Sequence, residues 1–265
     1  LEDQAGGPPL NPVEMGMASE ADIVARLADD PAYAQAFSVL FEGDVLADPA
    51  TGYAAMTEAI AAYERPTAFA SFDSRYDRFL RGEIELTREE ELGRLLFFSP
   101  QFTNCNLCQQ LHASAMHPEE TFSDYEFHNV GTPENHALRA LNGVPPGTVD
   151  LSLALNPAVK GDPAAEGRFK TPTLRNVAVT GPYMHNGVFA DLRTGVLFYN
   201  QYNTRSEARR INPETGAPFG PAQVSHSLAV EELTHGPALE DERIDAIVAF
   251  LRSLTDARYE HLLEE

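Results

Sequence analysis

The chain has 265 residues, and its 40 acidic against 19 basic side chains leave a formal charge of −21. That balance argues against nucleic acid, because neutralising phosphates takes clustered cations, and it favours a basic protein partner through electrostatic steering. No apolar run reaches the roughly 18 residues that cross a bilayer, and the length suits one large domain or two small ones.

Helical signals recur along the chain and strand signals are few. Leu1-Glu2-Asp3-Gln4 reads as the interior of a helix, so a segment upstream of it is expected. Ser19 caps a helix whose apolar stripe is Ile23, Val24 and Leu27, with Asp22 three residues after the cap. A second helix is expected over Tyr53 to Tyr63, with Met56, Ile60 and Tyr63 on one face and Pro66 as its stop. Thr87 and Glu90 form a capping box for a third helix, which carries Leu92, Leu95 and Leu96 toward Cys105. A late helix covers about Asp241 to Leu254, with Ile244, Ile247, Val248 and Leu251 inward. A boundary is expected near 80–87, dividing 1–82 from 83–265. Between about 112 and 183 the chain is rich in Pro, Gly and Asn. Long irregular segments are uncommon unless they wrap something, and a cofactor standing in for core side chains would explain this one.

The chemistry concentrates at Thr103-Asn104-Cys105-Asn106-Leu107-Cys108-Gln109-Gln110-Leu111-His112, which holds both cysteines of the chain. C-x-x-C-H is the attachment signature of c-type haem: two thiols add to the vinyl groups and the adjacent His ligates the iron. Here Gln109 stands where that His belongs, and Gln lacks the basic imidazole nitrogen. Three explanations stand side by side. Gln109 replaces His in a site that still attaches haem. Alternatively His112 substitutes, three residues on and on nearly the same helical face, displaced by about 4.5 Å along the axis. Or the haem is lost, leaving a disulfide or bare thiols. A fourth reading is a zinc site from Cys105, Cys108, His112 and His117, which leaves the rest of the chain unexplained.

Further strings, in order, carry a family likeness. They are Leu1-Glu2-Asp3-Gln4 with Pro8 and Asn11-Pro12-Val13-Glu14-Met15, then Tyr76-Asp77-Arg78-Phe79-Leu80-Arg81-Gly82, and Leu96-Phe97-Phe98 before the cysteines. After these come Phe127-His128-Asn129-Val130-Gly131, Phe169-Lys170-Thr171-Pro172-Thr173-Leu174-Arg175-Asn176 and Pro182-Tyr183-Met184-His185-Asn186-Gly187. Together they resemble the bacterial di-haem cytochrome c peroxidase and MauG family over nearly the whole chain. The resemblance implies a mainly α fold of cytochrome c-like helical domains with long irregular haem-wrapping loops. Residues 1–82 would be the remainder of the first, peroxidatic haem domain and 83–265 the second haem domain. It also implies a periplasmic protein that reduces hydrogen peroxide and exchanges electrons with a cytochrome or other redox protein. The first haem would be held by an N-terminal segment or companion chain. A non-catalytic subunit with a degenerate haem site, serving electron transfer or assembly, is the alternative.

Residue by residue, the resemblance makes Glu14 the group that moves a proton between peroxide oxygens. Gln4 hydrogen-bonds peroxide or water, and Pro8 closes the pocket without offering a ligand. Haem c is attached covalently at Cys105 and Cys108, with Gln109 or His112 on the proximal side. Tyr199 falls at the distal ligand position of the MauG branch, where an anionic oxygen donor favours higher oxidation states of iron; Tyr202 and Met184 are the next candidates. Thr180 and Pro182 would lend backbone oxygens to a calcium ion between the haems. His128 and His185 would bond haem propionates or the ion's water shell.

Overall fold

The computed structural model describes residues 1–66, 69–103, 105–111, 114 and 119–264. It divides into two compact units, Leu1–Ser71 and Phe72–Glu265.

The first unit is helical. It runs through α1 (Glu2–Ala5), α2 (Gly7–Leu10), α3 (Glu20–Asp29), α4 (Pro31–Leu40) and α5 (Pro49–Glu64). Ser19 caps α3 as the sequence predicts, its hydroxyl oxygen accepting from the Asp22 N–H at 3.1 Å. Ile23 and Val24 enter a small core with Phe37, Tyr53, Ala55 and Met56. Gly52 brings α5 close to α3: a Cβ there would lie 2.7 Å from a Val24 methyl. α5 starts four residues earlier than the apolar stripe indicates, because Asp48 caps it through the Thr51 N–H and Pro49 suits the first helical position. Tyr63 does not join the inward face. It is 70% exposed and meets the Phe69 ring at 5.1 Å instead.

The second unit is built on α6 (Arg75–Leu80), α7 (Arg88–Phe97), α8 (His136–Asn142), α9 (Leu192–Asn200), α10 (Val230–Leu233) and α11 (Asp241–Arg252). Two short antiparallel pairs accompany them. β1 (Phe127–His128) pairs with β2 (Phe169–Lys170) in the register His128 to Phe169, and β3 (Ile211–Asn212) pairs with β4 (Ala217–Pro218). The Thr87–Glu90 capping box of α7 is present in both directions. α7 and α11 cross at Gly93, where a side chain would strike the Ala246 carbonyl at 1.8 Å. The core gathers Tyr76, Leu96, Phe97, Phe122, Leu197, Phe198, Ile244, Ile247 and Phe250. Leu95 points away from the crossing and is 55% exposed, so only Leu96 and, in part, Leu92 serve the role expected of that stripe.

The division by packing falls at 71/72 rather than 82/83. The cause is α6: Tyr76 is fully buried in the second core, and Asp77, 1% exposed, pairs with Arg175 at 2.5 Å. Arg175 also donates through Nε to the Glu120 carbonyl at 2.7 Å and lies over the Phe72 and Phe122 rings. One buried guanidinium thus fastens the irregular 119–183 stretch to a helix almost a hundred residues upstream. Among the described residues, no helix is long and apolar enough to cross a membrane.

Candidate functional site

Within the second unit the irregular stretch closes around a cavity of about 470 Å³, lined by Cys105, Cys108, Gln109, His128, His185 and Tyr199 among others. That volume falls in the range of about 300–1,000 Å³ expected of cofactor pockets. Its apolar wall comes from Phe97 on α7, Leu174 and Val177 on the wrapping loop, Val196 on α9, and Ile247 and Leu251 on α11.

The thiols are placed by a short helical turn at Cys105–Leu107. The Gln109 N–H closes that turn on the Cys105 carbonyl at 3.2 Å, and the Asp124 N–H takes the Cys108 carbonyl at 3.0 Å. Upstream, the Thr103 hydroxyl donates to the Leu96 carbonyl at 2.8 Å and fixes how the chain leaves α7. Both thiols are free, so the sulfurs are not joined to each other. Burial pushes the Cys105 thiol up to about 11. Burial, followed by the Asp124 and Glu232 carboxylates, pushes the Cys108 thiol up to about 12. Both are therefore neutral at physiological pH.

Gln109 faces the cavity. With its amide nitrogen oriented toward the nearby acceptors, it donates to the carbonyls of Phe122 and of Pro172, the latter at 3.1 Å. His112 and His117 lie outside the described residues, so neither the substitute-ligand reading nor the zinc reading can be placed on the fold. Tyr199 projects from α9 into the cavity. Its phenol is pushed above the ordinary tyrosine range first by burial and then by the neighbouring Cys108 and Cys105. Tyr202, the next candidate, is committed elsewhere: its hydroxyl donates to the Val130 carbonyl at 3.0 Å. Met184 lines the cavity from a left-handed backbone position with φ +66°.

His128 sits on β1 with its Nε2 2.7 Å from the Asp124 carboxylate. Burial raises the Asp124 pKa, but the Glu126 N–H and His128 outweigh it and hold the carboxyl below its usual value. Cys108, Asp124 and His128 bring ligand atoms within 4.8 Å of one another. His185 stacks on Phe169 with ring centroids 3.4 Å apart and planes within 9°; loss of water on that face lowers its pKa. Thr180 and Pro182 lie at the cavity edge, joined by a cis Gly181–Pro182 bond. The structure thus brings Cys105, Cys108, Gln109, Tyr199, His128, His185, Thr180 and Pro182 to one cavity. Gln4, Pro8 and Glu14 belong to the first unit: Gln4 on α1, Pro8 on α2 and Glu14 in the turn that follows. There Asn11 holds Glu14, its Nδ2 donating to Oε1 at 3.1 Å.

Asp124 escaped the sequence reading. Its one signal was a carboxylate four residues before His128, a spacing too common to single it out. The carbonyls that hold Gln109 are backbone atoms, and no residue type announces them.

The residues fit a covalently attached haem. Two protonated thiols, an apolar wall and a buried phenol converge on one space. Gly195, one turn before Tyr199 on α9, leaves that wall open, since a Cβ there would meet only Tyr183, at 3.9 Å.

Comparison with known proteins agrees. The family model for di-haem cytochrome c peroxidase matches residues 1–85. The chain is 51% identical over 265 residues to the methylamine utilization protein MauG of Paracoccus denitrificans, covering 100% of this chain and 67% of that protein. It is 28% identical to the cytochrome c peroxidase Ccp of Escherichia coli, covering 96% of this chain and 42% of Ccp. The crystal structure of the diheme peroxidase BthA from Burkholderia thailandensis superimposes with a TM-score of 0.76 at 32% identity, over 98% of this chain and 64% of that one. The chain therefore spans less than two thirds of Ccp and of BthA, and about two thirds of MauG. With full coverage at half identity, and with the fold in common, this chain belongs to the MauG and di-haem cytochrome c peroxidase family.

Proposed function

We propose that the full-length protein is a di-haem c-type peroxidase of the MauG type. It reduces hydrogen peroxide to two waters with two electrons and two protons, and exchanges those electrons with a cytochrome, another redox protein or an oxidisable protein substrate in the periplasm. The observation that carries the proposal is the single cavity gathering both thiols and the Tyr199 phenol in a chain half identical to MauG from end to end. That identity weighs against a non-catalytic subunit.

When bound, haem c supplies redox-active iron and a conjugated ring able to spread charge. Cys105 and Cys108 would tether it as thioethers, and Tyr199 would be an oxygen donor to its iron. Its raised pKa means that a neighbouring cation must drive its ionisation, in the way a bound metal inverts local titration. An anionic oxygen on iron stabilises higher oxidation states, which suits a haem that holds oxidising equivalents. His128, braced by Asp124, and His185, braced by Phe169, serve as propionate or water partners. Thr180 and Pro182 offer backbone oxygens to a calcium ion, a hard cation that takes such ligands. In 1–82, Glu14 relays the proton between the peroxide oxygens, Gln4 hydrogen-bonds the substrate, and Pro8 closes the pocket without competing for iron.

The test is stopped-flow spectroscopy of the full-length, haem-loaded protein mixed with peroxide. We expect peroxide consumption and a high-valent spectrum, both lost in Glu14→Gln. A loaded protein that neither consumes peroxide nor changes its spectrum would end the proposal.

A further inference from the structure

The unexplained group in the cavity is Gln109. We infer that Gln109 is itself an axial donor to the haem iron through its side-chain oxygen, so that with Tyr199 the iron carries an oxygen pair and no imidazole. This rests on the proposed haem in the cavity, and it concerns only what fills the position usually held by His.

Three observations carry it. First, the Gln109 side chain lines the cavity, together with both thiols and Tyr199. Second, its amide is not free to turn. Two carbonyl acceptors, Phe122 and Pro172, face one end of the amide, so that end is assigned as the nitrogen; an oxygen there would meet only acceptors. With the nitrogen assigned there, Oε1 is the end of the amide that those carbonyls leave unused. Third, the two carbonyls are themselves fixed. The strands of chain that present them are clamped together by the Thr173 hydroxyl on the Thr121 carbonyl at 2.8 Å, by the Leu174 N–H on the same carbonyl at 3.3 Å, and by Arg175 on the Glu120 carbonyl at 2.7 Å. Phe122 between them is fully buried.

An amide oxygen is an acceptor with two lone pairs and serves elsewhere as a weak, long axial metal ligand. A weak donor leaves ferric iron high-spin. The carbonyl pair has a second consequence. Metal-bound histidines donate their far N–H to such backbone acceptors, so an imidazole introduced at 109 finds its supporting hydrogen bond already in place.

The experiment is electron paramagnetic resonance and magnetic circular dichroism of the full-length, haem-loaded ferric protein, as wild type, Gln109→His and Gln109→Ala. Wild type should show this haem high-spin. Gln109→His should convert it to low-spin, with the haem of the other domain unchanged. Gln109→Ala should stay high-spin and become low-spin when imidazole is added. Because Gln109→His keeps a donor toward Pro172, it guards against a variant that merely misfolds. A wild type whose spectrum, high-spin or low-spin, is the same in Gln109→Ala would overturn the inference; if it is low-spin, His112 is first in line as the ligand. Failure of the underlying haem reading looks different: denatured protein would then give no haemochrome from the Cys105–Cys108 peptide.

Discussion

Gly93→Ala tests the packing that holds the haem cavity open. The added Cβ would sit 1.8 Å from the Ala246 oxygen, 2.5 Å from its carbonyl carbon and 2.8 Å from the Phe250 Cβ. Ordinary non-bonded contacts lie at about 3.5 Å or more, so α7 and α11 must part by about 1.7 Å. The obstacle is helix backbone, which cannot swing aside as a side chain does. Overpacking costs typically about 1–3 kcal/mol, and a backbone clash belongs at the upper end. Ala gains about 1 kcal/mol over Gly in helix propensity. The net loss is about 2 kcal/mol, which for a domain of this size lowers Tm by roughly 4–8 °C. Phe97 on α7 and Ile247 and Leu251 on α11 line the cavity, so parting the helices also disturbs the haem surroundings. Calorimetry of the haem-loaded protein gives the stability and the Soret band gives the site. A variant that melts within a degree of wild type, with an unshifted Soret band, would show that the helices do not cross at Gly93 as described.

Gly195→Val should leave most of the second unit folded but sharply reduce haem incorporation, read as the ratio of Soret to protein absorbance, because its branches enter the space one turn before Tyr199. Tyr199→Phe should keep the covalent haem and remove the phenolate contribution from the ferric spectrum; retention of a phenolate band would place the donor on another tyrosine. Glu90→Gln keeps an acceptor for the Thr87 N–H but loses the ion pair with Arg75 at 2.9 Å, and should cost about 0.5–1 kcal/mol at neutral pH in denaturant titrations. Burial raises the Glu90 pKa, but Arg75 and the Thr87 N–H outweigh it and hold the carboxyl below its usual value. Its contribution is therefore present above about pH 4.3 and fades as pH falls through the lower folded value, so the difference from wild type should close in acid. A difference that persists unchanged at pH 2 would contradict this.

What could be read in advance follows from how local each signal is. The Ser19 and Thr87–Glu90 caps are three-residue patterns, and both appear in the fold with the bonds expected. The Tyr53–Tyr63 stripe has the right period, yet Tyr63 in its last turn finds Phe69 rather than the core. Periodicity says which face is apolar but not where the covering partner ends. The capped start of α7 is what sequence shows near 82, whereas α6 is held by Asp77–Arg175 across 98 positions, a pairing no window of sequence contains. At the site, the cysteine pair is legible from its spacing, and Tyr199 only through the family resemblance. Asp124 behind His128 and the Phe122 and Pro172 carbonyls before Gln109 were not, because one is a common spacing and the others have no side-chain identity at all.

The long irregular stretch is intelligible only in energetic terms. It offers few ladders of its own, and its hydrogen bonds go largely to turns and to remote partners: Asn129 in the stretch donates to the Val224 carbonyl and to the Ser227 hydroxyl. It closes around the cavity of about 470 Å³. Apolar walls that meet no packing partner across such a space lose contacts and so stability. Water could fill the polar rim by Gln109 and His128 but gains little against Phe97, Leu174 and Ile247. A rigid, apolar, planar guest bonded to Cys105 and Cys108 removes that cost and turns the same walls into packing surface. The irregular sequence and the cofactor are thus two halves of one core, and the second unit should reach its full cooperativity in unfolding only when the thiols carry their haem.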